Sequence, residues 1–205
     1  MNQDFSQYIK NIKNGEPELN LMLECAPFLS GLRAANLVNM SRTQFKSLKP
    51  ALQNTNISYY ILFNGGDKFT VLLYRYQELQ QYLSCLEARN ILDKRGYHST
   101  DVYELLFLFA LNYKKFLCGM SDFPHEMGLF LAYPIEDVIG FIKNDGKNSL
   151  CTGYWKVYED VSEKKKLFDS FELAKQRMMQ LISRGLNVME LVTIISPNRY
   201  QTLSA

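Results

Sequence analysis

The stretch DFPHEMGLFLAYPIEDVIGF, residues 122–141, gathers a histidine and four acids around a short apolar run. Its reactive side chains are His125, Glu126, Glu136 and Asp137. An imidazole fixed by Pro124 and flanked by a carboxylate could act as a general base or a metal ligand. The same histidine could equally bond the backbone and lock a turn. Glu136 and Asp137 form an acid pair. They also fall in the first turn of a helix approached through Tyr133 and Pro134, where the helix dipole favours each negative charge by about 0.3–1 kcal/mol. Among the four cysteines, Cys25 is the candidate nucleophile, because a thiol beside a proline-started helical turn can have its thiolate held by backbone N–H groups. With His125 as base and Glu126 or Asp137 as orienter, it would form a Cys–His–acid constellation suited to a small thiol-dependent hydrolase or acyl transferase. The opposing reading makes Cys25 a small buried hydrophobe.

Read for binding rather than catalysis, the chain offers His125, Tyr133, Glu136, Asp137 and Tyr154 as contacts for a small molecule or a protein partner. Its 13 Tyr and 13 Phe allow an apolar pocket with a few polar groups. A haem or metal protein using His125 with Cys25 or a methionine is a weaker third reading, because such ligands are few and scattered. No metal ligand set and no cofactor is assigned. The second histidine, His98, sits in GYHST and reads as a turn residue. The phosphate loop G-x-x-x-x-G-K-[ST], the dinucleotide fingerprint G-x-G-x-x-G and the nucleophile elbow G-x-S-x-G are all missing. HEMGL matches a zinc-peptidase helix only in part, since Leu129 stands where the second histidine belongs.

The elements that must position these residues follow from bulk composition first. The chain has 205 residues, 47% hydrophobic and 21% charged, which suits a single globular domain over 1–205. A formal charge of +2 implies no field for nucleic acid or membrane. EKKK at 163–166 reads as the solvated start of a helix. The first 15 residues lack the apolar core of a leader, and LLFLFAL at 105–111 is too short to span a bilayer, so a cytoplasmic protein is expected. Without a C-x-x-C pair, the cysteines read as free thiols rather than as zinc or disulfide partners.

Pro17 opens a helix, and Pro27 is expected to break it, leaving Cys25 at the break. Ser41 and Gln44 have capping-box spacing, predicting a helix to about Leu52. SYYILF and KFTVLLYR, joined by NGGD, predict a hairpin. A helix is expected from Tyr76 to about Asp93, capped near Gly96, with Cys85 in the core. Asp101 and Glu104 open a further helix, apolar on nearly every side and so expected to be the most buried, with Cys118 also in the core. GLFLAY and GYWKVY read as strands joining the hairpin's sheet. A strand of about six residues would span roughly 20 Å and hold His125 and Glu136 near its opposite ends. Leu167, Phe171, Ala174, Met178 and Leu181 step at helical spacing up to Gly185, and VMELVTII beyond it fits either a helix or a strand. The sum is an α+β fold: a small, mostly antiparallel sheet of about four strands packed with about seven helices.

CAPFLSGLRAANL, VLLYR, FPHEMGLFLAYPIEDVIGF and GYWKVY occur in that order. Together they resemble an uncharacterised bacterial family, a domain of unknown function typical of anaerobic Gram-positive bacteria. Its mark is His125-Glu126-x-Gly128 followed by Tyr133-Pro134-x-Glu136-Asp137-Val138-x-Gly140-Phe141. The sequence departs from that pattern at Ala132, where glycine is expected, and at Arg33-Ala34, where Lys-Pro is expected. The resemblance implies a fold and a motif, and no activity.

Overall fold

A computed structural model describes residues 17–53 and 55–195. The leader reading of the first 15 residues lies outside the described residues, as do both ends of the 1–205 domain. The fold is α+β. Its elements in chain order are α1 (Pro17–Leu29), β1 (Ala35–Ser41), α2 (Arg42–Leu52), β2 (Ile57–Asn64), β3 (Lys68–Arg75), α3 (Tyr76–Leu83), α4 (Leu86–Lys94) and α5 (Val102–Leu117). There follow α6 (Met127–Phe130), α7 (Ile135–Lys143), β4 (Cys151–Thr152), β5 (Lys156–Val157), α8 (Val161–Ser183) and α9 (Val188–Ile195). Among the described residues no helix is long and apolar enough to cross a membrane.

The main sheet has three antiparallel strands in the order β1-β3-β2. Its centre, β3, is buried at every residue except Lys68, because helices cover both faces. Strand periodicity sends Phe69, Val71 and Leu73 into a core shared with α1, α2, α8 and α9. Leu72 and Tyr74 point the other way, into a core built by α3–α7. The expected hairpin is β2–β3, with Gly66 at φ +89° in the NGGD turn. The Ser41–Gln44 capping box is present in full, and Asp101 caps α5 by accepting from the Glu104 backbone N–H.

β1 has no clear sequence signal, since Asn36 and Asn39 interrupt its apolar residues. Each has a partner distant in sequence, and Asn36 also accepts locally from Arg33 Nη1 at 3.1 Å. Asn36 Nδ2 donates to Cys25 Sγ at 3.7 Å, and Asn39 Oδ1 accepts from Thr70 Oγ1, opposite it on β3, at 2.8 Å. Pro27 does not break α1, which runs on to Leu29. Arg75 explains the continuation. Its guanidinium donates to Phe28 O at 2.8 Å, lies 4.6 Å from the Phe28 ring, and places a cation where the helix dipole favours one.

Further expectations are corrected, beginning with the single sheet of about four strands: the described residues form a three-stranded and a separate two-stranded sheet. The helix after β3 is split at Ser84–Cys85, so Cys85 is a half-buried N-cap, and Cys118 is exposed at the end of α5. α5 is not the most buried helix: Tyr103, Phe107 and Leu111 form an exposed stripe along it, whereas seven of the 13 residues of α1 are buried. GYWKVY contributes only Lys156–Val157, paired with Cys151–Thr152 in a separate two-stranded sheet. GLFLAY is not a strand. Its first three residues belong to the one-turn helix α6, which buries the adjacent Leu129 and Phe130 together, as an alternating strand could not, and its remainder is the turn that follows. The long helix α8 is as expected, with Gly185 at φ +82° beyond its end. VMELVTII resolves as helix α9, opened by reciprocal bonds between Asn187 and Glu190.

α6 closes in a Schellman turn, with Ala132 N donating to Leu129 O at 2.9 Å and Tyr133 N to Gly128 O at 3.0 Å. Its left-handed position is Ala132, at φ +48°. A Cβ there costs about 1 kcal/mol, partly offset because alanine also restricts the unfolded chain. Ala132→Gly is therefore expected to be neutral or to stabilise by up to about 1 kcal/mol in urea unfolding, and Ala132→Val to lose more than about 1 kcal/mol. A clear loss with glycine would contradict this geometry.

Candidate functional site

The Schellman turn reverses the chain, so His125 and Asp137 do not lie at opposite ends of an extended segment. Both face one cleft of about 310 Å³, with α6 and α7 on one side and the β4–β5 loop on the other. Tyr133 and Tyr154 line it too, so four of the residues proposed from sequence meet there. The rest of its wall is mostly apolar: Phe123, Phe141 and Trp155 supply rings, with Met127, Leu131 and Val138 between them, and Thr152 and Lys156 are its further polar residues.

The rings are held in fixed relations. Tyr133 stacks on Trp155, with centroids 4.9 Å and planes 26° apart. Phe168 packs edge-on against Trp155 at 4.7 Å. His125 meets Phe141 edge-on at 5.4 Å and Phe123 at 5.8 Å. Its Nε2 lies 3.7 Å from Asp145 Oδ1, whose side chain is mostly exposed. Lys156 Nζ donates to Gly146 O at 2.6 Å and lies 5.9 Å from the Phe141 centroid.

Asp137 borders the cleft but is spent on structure. It is 2% exposed. Its Oδ2 accepts from Trp155 Nε1 at 2.7 Å, and its Oδ1 accepts from the backbone N–H of Tyr158 at 2.7 Å and of Glu159 at 3.3 Å. One carboxylate thus pins the β4–β5 segment to α7. Gly140 makes that approach possible, and Gly153 lets the same segment pack on α8. A Cβ on Gly140 would lie 2.3 Å from Tyr158 Cβ, and one on Gly153 would lie 2.3 Å from the Phe168 ring.

Glu126 and Glu136 turn away from the cleft. Glu126 is buried, accepting from Tyr97 Oη at 2.7 Å and from Arg95 Nη1 at 3.1 Å. Tyr97 Oη in turn accepts from Asn112 Nδ2 at 2.9 Å, so Glu126 ties α6 to α5 and to the end of α4. Burial and the neighbouring Glu126 both push the Tyr97 hydroxyl pKa up. Glu136 pairs with the buried Lys164. Burial opposes its ionised form, yet the Lys164 ammonium holds its carboxyl below the usual value. Lys164 thereby departs from the solvated role expected for EKKK.

Cys25 lies in the other core, fully buried among residues of α1, β1 and α8. Burial pushes its thiol up to about 12, only partly countered by the Asn36 amide. No hydrogen bond or ion pair joins it to His125 among the described residues. Nor do the described residues contain a group of three His, Cys, Asp or Glu side chains that could hold a metal ion. His98 is exposed in a loop.

A family described as Protein of unknown function (DUF3793) matches residues 21–192. The chain belongs to this family. No curated protein and no solved structure matches it. The cleft, its anchors and both cores fall within the matched span. The geometry assigns places to the motif residues of this family member: Glu126 and Asp137 are internal anchors, Gly140 admits Tyr158, and His125, Tyr133 and Phe141 face the cleft. Sequence reasoning missed Phe123, Phe141, Trp155 and Lys156. The available signal was the density of aromatic residues from Phe123 to Tyr158, above the chain's 13% average.

Proposed function

We propose that the protein is a binding module that takes a small, largely apolar molecule into this cleft, with His125 and Lys156 as polar contacts. The observation that carries the reading is the lining itself. Stacked and edge-packed rings enclose a volume of about 310 Å³, with few polar groups at the rim. The cleft's one buried acid, Asp137, is fully occupied in holding the loop that forms the far wall. The thiol alternative is not favoured, because Cys25 is sealed in the opposite core and lacks a base. The site therefore suits recognition better than nucleophilic attack.

Trp155 is the chain's single tryptophan and lines the cleft, so its emission reports occupancy without a label. Titration with N-phenyl-1-naphthylamine, a neutral aromatic probe, is expected to quench it saturably at one site per chain. Phe123→Ala removes an exposed ring of the wall and should weaken binding about five- to tenfold. Cys25→Ala should leave binding unchanged. Absence of saturable quenching, or equal binding by the Phe123 variant, would contradict the reading.

A further inference from the structure

We infer that the cleft's ligand is a planar aromatic molecule carrying a negatively charged group that sits at the Lys156 end; this rests on the cleft being a binding site. The inference comes from how charges are distributed around the rings. The buried carboxylates near the cleft are engaged, and so is that of Glu172. Asp137 holds Trp155 and the backbone beyond it, Glu126 holds Tyr97 and Arg95, and Glu136 holds Lys164. Glu172 accepts from Tyr154 at 2.5 Å and lies 3.4 Å from Lys175 Nζ, while Asp145 faces His125 and Lys147 at the rim.

The cations are differently placed. Lys156 lines the cleft, gives one of its three donors to Gly146 O, and pairs with no carboxylate among the described residues. Arg33 lies behind the wall, 5.3 Å from the Tyr133 centroid, and Nη1 bonds the neutral Asn36 at 3.1 Å. Lys175, 4.5 Å from the Tyr154 centroid, adds no net charge because it pairs with Glu172. Apolar walls backed by cations focus a positive potential on the space between them. A cationic guest would meet the Lys156 ammonium at that end of the cleft. An anionic one gains a charge-assisted bond from Lys156 while its rings lie against Tyr133, Trp155 and Phe141.

The test compares two dyes that differ in one charged group: 1-anilinonaphthalene-8-sulfonate and the neutral N-phenyl-1-naphthylamine, each read by Trp155 quenching. Lys156→Met is expected to weaken the sulfonate about tenfold more than it weakens the neutral dye. Lys156→Arg should restore the sulfonate, and raising the salt should weaken the sulfonate alone. Equal losses for both dyes, or an unchanged sulfonate affinity in Lys156→Met, would overturn the charge inference while leaving the cleft as a site. Failure of both dyes to bind the wild-type protein would remove the cleft reading and this inference with it. Matched thermal unfolding of the Met and Arg variants separates loss of charge from loss of fold.

Discussion

Asp137→Ala is expected to destabilise the protein by on the order of 3–5 kcal/mol, a fall in Tm of roughly 10 °C. The size follows from what is left behind. Trp155 Nε1–H and the Tyr158 N–H both lose their acceptor, in a place where Asp137 is 2% exposed and water has little access. Each stranded donor costs about 1–3 kcal/mol. Asp137→Asn keeps the shape but offers one oxygen where two acceptors are needed, so an intermediate loss of about 2–3 kcal/mol is expected. Because the same bonds fix the β4–β5 segment, both variants should also lose probe binding. A melt within about 1 kcal/mol of wild type would show that Asp137 does not anchor the cleft.

The second large effect is chemical. A thiol pKa of about 12 rather than 9.0 lowers the thiolate fraction near neutral pH about a thousandfold, since each unit is a factor of ten. Burial adds a steric barrier. Timed alkylation of the folded protein, read by peptide mass, should label the exposed Cys118 first, Cys85 and Cys151 more slowly, and Cys25 last, by a factor of at least about a thousand against Cys118. His125→Ala should leave the Cys25 rate unchanged. Fast labelling of Cys25 that depends on His125 would restore the thiol enzyme as the leading account.

What could be seen in the sequence is what local physics determines. The NGGD turn, the Ser41–Gln44 box and the Asp101 cap each act over three or four residues, and each is found as expected. The spacing of Phe171, Ala174 and Met178 belongs to one helix face and needs no distant partner. The failures required distant partners. β1 depends on Cys25 and Thr70 to satisfy its asparagines, and α1 survives Pro27 because Arg75 arrives from β3. GLFLAY has the apolar run of a strand, but Leu129 and Phe130 are both drawn into one core while Ala132 accepts a positive φ. The candidate site was legible in its address and not in its parts. His125, Tyr133, Asp137 and Tyr154 converge, whereas Glu126 and Glu136 turn to internal partners that no spacing reveals.

The most direct test of the cleft as a binding site is the indole resonance of Trp155 in a ¹H–¹⁵N spectrum. With one tryptophan in the chain it is a single peak, and its proton is the one donated to Asp137 at the cleft wall. Addition of N-phenyl-1-naphthylamine should move that peak saturably, along the same curve as the fluorescence quenching. An indole peak that stays in place while the dye binds elsewhere, for instance on the exposed stripe of Tyr103, Phe107 and Leu111, would contradict the account.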